Sequence, residues 1–158
     1  VKAHSTAQVQ PILIKASQAP SPYTCAAALR LLREFVENNA KYANKEVLQV
    51  VLKACEDEDA YVCYEAMRTL GILISTHAAY ANRQAKEAII HTAEDEDPHI
   101  RYAAMLAALK WVKVCPASVD EELQNILNNT VKDEDQHVQV VARSALQMYK
   151  ASSKEMKR

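Results

Sequence analysis

Glycine is nearly missing from this chain: one residue in 158, with only five prolines. A turn-rich all-β fold needs many more of both. There is no basic block either. Nineteen Lys and Arg face 20 Asp and Glu, for a formal net charge of −1. Nucleic acid and anionic membrane surfaces both require a concentrated positive field, so neither is the expected partner. No apolar run approaches the roughly 18 residues of a membrane span, which argues against membrane insertion. The four cysteines lack the clustered spacing of a disulfide framework, pointing to reduced thiols and a cytoplasmic or nuclear location. Catalytic signatures are missing too: no Gly-rich phosphate loop, no nucleophile elbow, no His-Glu metal motif. His77, His91, His99 and His137 have no histidine partner at i+4 and no cysteine at metal spacing. The expectation is no enzyme, no cofactor and no metal.

What the chain has is a period. Glu94-Asp95-Glu96-Asp97-Pro98-His99-Ile100-Arg101 recurs as Glu56-Asp57-Glu58-Asp59-Ala60-Tyr61-Val62-Cys63 and as Lys132-Asp133-Glu134-Asp135-Gln136-His137-Val138-Gln139, each copy 38 residues after the last. A fainter copy, Gln18-Ala19-Pro20-Ser21-Pro22-Tyr23-Thr24-Cys25, precedes them in phase. A fixed period of this size is the mark of a repeat solenoid.

Two ladders of helix-capping residues keep the same register: Thr6, Asn44, Asn82 and Asp120, and Ser21, Asp59, Asp97 and Asp135. A capping oxygen accepts from an otherwise orphaned backbone N–H and contributes about 1 kcal/mol. Pro22 and Pro98 follow their caps at the first helical position, where a missing N–H costs nothing. Eight caps predict eight helices, two per repeat. The first helices are expected over 7–17, 45–56, 83–94 and 121–132, the second over 22–36, 60–75, 98–113 and 136–150. Apolar residues at i, i+3 and i+4 give each first helix one buried stripe: Val9, Ile12 and Leu13 in the first copy, Val47, Val50 and Val51 in the second. In the second helices Thr24, Val62, Ile100 and Val138 open the buried face, and Ala28, Ala66, Ala104 and Ala142 continue it. The repeats then run about 6–37, 44–77, 82–114 and 120–151 within a single domain, 1–151, followed by a polar tail, 152–158, expected to fray.

The run Asp95-Glu96-Asp97-Pro98-His99-Ile100-Arg101-Tyr102-Ala103-Ala104 resembles the HEAT-repeat motif: Asp, Pro three later, an aliphatic five later and Arg six later. The resemblance covers about residues 6–150. It implies an all-α, right-handed α-solenoid of four HEAT-like (armadillo-like) helix pairs with the second helices on the concave side. It also implies an Asp–Arg ladder between repeats. Asp57, Asp95 and Asp133 hold the Asp position, with Ala19 in the first copy; Arg101 alone keeps the Arg, against Cys25, Cys63 and Gln139. The ladder is therefore expected to shrink to a bridge from Arg101 to one or two of those aspartates.

A repeat array of this kind points to a protein–protein interaction scaffold, with the chain read as a monomeric fragment of a larger protein. Its partner would be a helix, a peptide or a basic loop. One candidate surface is the outward stripe of the second helices, where Tyr61, Glu65, Arg68, His99, Leu106 and Lys110 form the expected centre, Tyr and Arg being favoured at interfaces. The other is the acidic turn edge, in particular Glu56, Glu58, Glu94, Glu96 and Glu134, which capping does not require. Trp111, Tyr64 and Tyr102 are assigned to packing. The apolar residues spread around the last helix, among them Val140, Val141, Met148 and Tyr149, suggest that more protein follows or that a partner docks there. Competing readings are a purely structural segment connecting flanking repeats, and a tubulin-binding array. The latter is disfavoured because such arrays use basic turns.

Overall fold

The computed structural model describes the backbone of residues 2–158 and the side chains of residues 8–158. Among the described residues there are eight α-helices and no strand. They pair as α1 (Lys2–Ala16) with α2 (Pro22–Asn38), α3 (Lys45–Ala54) with α4 (Ala60–Thr76), α5 (Arg83–Ala93) with α6 (Pro98–Val114), and α7 (Glu121–Thr130) with α8 (Gln136–Met156). Single 3-10 turns at Ala40–Tyr42, Ala78–Tyr80 and Pro116–Ser118 link one pair to the next.

Six of the eight expected caps form. Asn44, Asn82 and Asp120 accept from the N–H of Val47, Ala85 and Leu123 at 3.0, 2.9 and 3.0 Å. Asp59, Asp97 and Asp135 accept from Tyr61, His99 and His137 at 2.9, 2.8 and 2.8 Å. Two expectations fail. Ser21 occupies its cap position but makes no side-chain bond there, leaving Pro22 to start α2. α1 begins at Lys2, so Thr6 falls inside the helix, and its side chain lies outside the described residues.

Second helices pack on one another in succession, α2 on α4, α4 on α6 and α6 on α8, while the first helices touch their neighbours lightly. A stack bends toward its closer-packed layer, so the second helices form the inner face. Small residues permit the approach: Ala66, Ala104 and Ala142 are fully buried. The chain's one glycine marks a tight point, because a Cβ on Gly71 would lie 3.2 Å from the Ala107 Cα. Between the layers runs a continuous core that includes Leu29, Leu32, Val47, Met67, Leu70, Ile89, Met105, Leu123 and Leu127. Burying each such side chain contributes about 1.5–3 kcal/mol. No pair could do this alone, so each repeat stabilises its neighbours.

At the first repeat the expected stripe is only partly buried. Leu13 is covered, but Val9, Thr24 and Ile12 are exposed, Ile12 by 65%. Of the positions in phase with Ile12, Val50 and Ile126 are 9% and 7% exposed and Ala88 is half-buried, because that face packs against a preceding pair in the later repeats. At the other end the tail does not fray at residue 152: α8 continues to Met156, with exposed apolar side chains at Val140, Met148 and Met156.

Candidate partner-binding face

Each acidic turn is a small hydrogen-bonded unit. Asp57, Asp95 and Asp133 each accept, at 2.8 Å, from the backbone N–H of the capping aspartate two residues on. The residue six positions after each of these aspartates reaches back to the turn's carbonyls. Cys63 donates to the Cys55 carbonyl at 3.3 Å, Arg101 to those of Asp95 and Glu96 at 3.0 and 2.9 Å, and Gln139 to that of Asp133. Cys25 does the same to the Ser17 carbonyl at 2.7 Å. Cysteine and glutamine thus keep one half of the arginine's role. Only Arg101 performs the other half, a bidentate bridge to Asp133 of the next repeat.

The acids that capping does not use point to solvent. Glu56, Glu58, Glu94, Glu96 and Glu134 are all exposed. In the last turn Arg101 offsets part of the charge, with Nη2 lying 3.7 Å from the Glu134 carboxylate. Asp133 is held below the usual carboxylate range, first by its hydrogen bond from Arg101. Glu56 and Glu58 stand at the turn ends of the first helices: Glu56 lines a hollow with Lys53, Glu87 and His91, and both line another with Val50 and Lys53.

The second-helix stripe divides by depth. Tyr61 and His99 are exposed, whereas Arg68, Leu106 and Lys110 are half-buried. Glu65 corrects the sequence reading: it is 5% exposed and cannot meet a partner. Its carboxylate is bound by Arg33 of the preceding repeat at 2.8 Å, an inter-repeat bridge that one helix's periodicity does not reveal. Ala103, one turn beyond His99, is also fully buried, because α6 is flanked on both sides.

Tyr64 and Tyr102, read from the sequence as packing residues, rest on the core but also line the surface. Two adjoining hollows run across the N-terminal ends of α4, α6 and α8. One is lined by Tyr61, Tyr64, Asp97 and His99, the other by Tyr64, His99, Tyr102, Asp135 and His137. Arg68 closes one side of Tyr64, donating to its hydroxyl at 2.8 Å with its guanidinium 5.7 Å from the ring centre. His99 Nδ1 lies 3.1 Å from the cap oxygen of Asp97. A signal for Tyr64 and Tyr102 was present: each follows an outward position by three residues, hence shares its face, and the two are in phase.

Burial raises the thiols of Cys25, Cys55 and Cys63, the last to about 11, and so keeps them protonated. Among the described residues no group of three His, Cys, Asp or Glu is placed to hold a metal ion. No helix there is long and apolar enough to cross a membrane.

Comparison with known proteins places the fold in the armadillo/HEAT-like class of helical-repeat solenoids. An engineered protein of known structure superposes with a TM-score of 0.79 at 21% identity, over 89% of this chain and 62% of its own. A designed armadillo repeat protein gives 0.63 at 15% identity, over 87% and 63%. The complex of CpcE and CpcF of phycocyanin lyase from Nostoc sp. gives 0.60 at 19% identity, over 88% and 98%. The chain thus spans under two thirds of the first two structures, and at these identities the likeness concerns fold alone. Residues 12–84, a little under half of the chain, match a family model described as "Required for nuclear transport of RNA pol II C-terminus 1". No curated protein matches the sequence.

Proposed function

We propose that this chain is a protein-interaction scaffold. It holds a partner's helix, peptide or basic loop against the second-helix face, with the acidic turn edge steering approach. The observation that carries this reading is the series of aromatic and basic side chains, Tyr61, Tyr64, Arg68, His99 and Tyr102, standing on helices fixed by a fully packed core. Rigid presentation matters because ordering a flexible surface would subtract from the binding free energy. Arg and Tyr are also the residue types that dominate interface energetics. The family match over residues 12–84 supports a setting in nuclear transport of a protein cargo, with this solenoid making one of the contacts. The partner-binding set is then Tyr61, Arg68, His99, Leu106 and Lys110, with Glu56, Glu58, Glu94, Glu96 and Glu134 at the edge.

The test is affinity capture followed by direct titration of the captured protein. It compares the natural chain with a folded triple variant, Tyr61→Ala, Arg68→Glu and Leu106→Glu. A partner that binds the natural chain and not the variant supports the reading. Equal capture by both, or none by either, overturns it. Raising salt across the range where the Debye length falls below about 10 Å should slow association by weakening the acidic edge, while leaving apolar contacts in place.

A further inference from the structure

Resting on the scaffold reading, we infer that the two adjoining hollows across α4, α6 and α8 take a proline-rich segment in polyproline II conformation, with a basic residue at one flank. The lining comes first. Tyr61, Tyr64 and Tyr102 present flat aromatic surface, and His99 and His137 stand at the boundaries. A polyproline II strand has no internal hydrogen bonds and leaves its carbonyls bare, and aromatic-lined grooves with hydrogen-bond donors recognise it. The hydroxyls of Tyr61 and Tyr102 can supply such donors.

Spacing is the second argument. The hollows are set by successive second helices, and packed helices lie about 8–10 Å apart. One polyproline II turn of three residues advances about 9 Å. Prolines three positions apart would therefore enter neighbouring hollows, and the repeat spacing would act as the ruler. An amphipathic helix fits less well: it needs one long apolar trough, whereas Tyr64 and His99 line both hollows and stand between them as a shared wall. Charge gives the third argument and the flank: Asp97 and Asp135 line the hollows, and Glu96 and Glu134 stand exposed beside them.

The test uses a synthetic peptide with two prolines three positions apart and an arginine at one end. Controls replace both prolines by alanine, or the arginine by glutamate. Fluorescence anisotropy reads affinity, and amide chemical shifts of the intact chain read location. The expected result is saturable binding with shifts confined to the start of α4, α6 and α8. Loss of both prolines should weaken binding by about tenfold or more, as should Tyr102→Ala, the loss typical of an aromatic anchor. Since Tyr102 is half-buried, Tyr61→Ala and His137→Ala serve as variants at exposed sites and should weaken binding in the same direction. Equal binding of the alanine peptide, shifts elsewhere, or no saturation at about millimolar peptide would overturn the inference. An amphipathic helical peptide that shifts the same residues when the proline peptide does not would overturn it too, while leaving the scaffold reading in place.

Discussion

Arg101 grips the carboxylate of Asp133 across the boundary between the third and fourth repeats, with Nε to Oδ2 at 2.8 Å and Nη2 to Oδ1 at 2.9 Å. Both side chains are nearly buried, 10% and 9% exposed. The same guanidinium closes its own turn, so one side chain ties the two turns together. Asp133→Asn should destabilise the fold by about 1.5–3 kcal/mol, the scale of a hydrogen bond to a charged group, read as a shift in the urea midpoint.

The pH dependence of that loss follows from the carboxylate. In the folded chain Asp133 titrates below the unfolded value of about 3.9, chiefly through its bond from Arg101, which stays charged throughout. Its contribution is therefore complete above the unfolded value and is lost as pH falls through the lower folded value. The gap between natural chain and Asp133→Asn should be flat near neutral pH and close below about pH 4. A gap that persists in acid would assign the loss to another cause.

Glu65 and Arg33 are both largely buried and pair at 2.8 Å. Glu65→Ala should cost about 3 kcal/mol, because it leaves the largely buried guanidinium only the exposed Glu37 carboxylate, 4.0 Å away. Arg33→Met combined with Glu65→Leu should recover most of that loss, since apolar side chains of similar volume often replace such a pair without penalty. A double variant as unstable as the single one would show that the position tolerates no repacking.

The two kinds of helix start give a direct comparison. Asp59→Ala removes bonds to the Tyr61 and Val62 N–H groups at 2.9 and 3.1 Å and should cost about 1 kcal/mol in thermal or urea unfolding. Ser21→Ala should be nearly neutral, because Ser21 makes no such bond. Equal costs would mean that the bond is not what stabilises these helix starts.

Thiol chemistry offers a test of packing. Cys25, Cys55 and Cys63 are buried with raised pKa values, Cys63 to about 11, whereas Cys115 is half-exposed. A thiol reagent near neutral pH should label Cys115 first and the other three only on unfolding. Early labelling of Cys63 would contradict the closed turn in which its thiol meets the Cys55 carbonyl.

Helix starts were legible because a cap is a local event: one residue type, one backbone N–H, a fixed offset. Six of the eight positions followed that rule; Ser21 did not, although Asp97, likewise followed by proline, makes its bond. The bridge from Arg101 was legible for a related reason, since the motif names both partners. Glu65 was not, because its partner Arg33 is 32 residues away with no motif to link them. Tyr64 and Tyr102 pack on the core as their residue type suggested. They also line the open hollows, as their place three residues after the outward positions Tyr61 and His99 allows.

The sequence by itself determined the period, the helix pairs, their starting residues and hence the solenoid, because each depends on residues close along the chain and repeated in phase. The tertiary structure decided which side chains of the outward stripe stay open to solvent. Exposure depends on what the neighbouring repeat covers, so Glu65 and His99, both drawn from the same outward stripe, came to rest one in the core and the other in solvent.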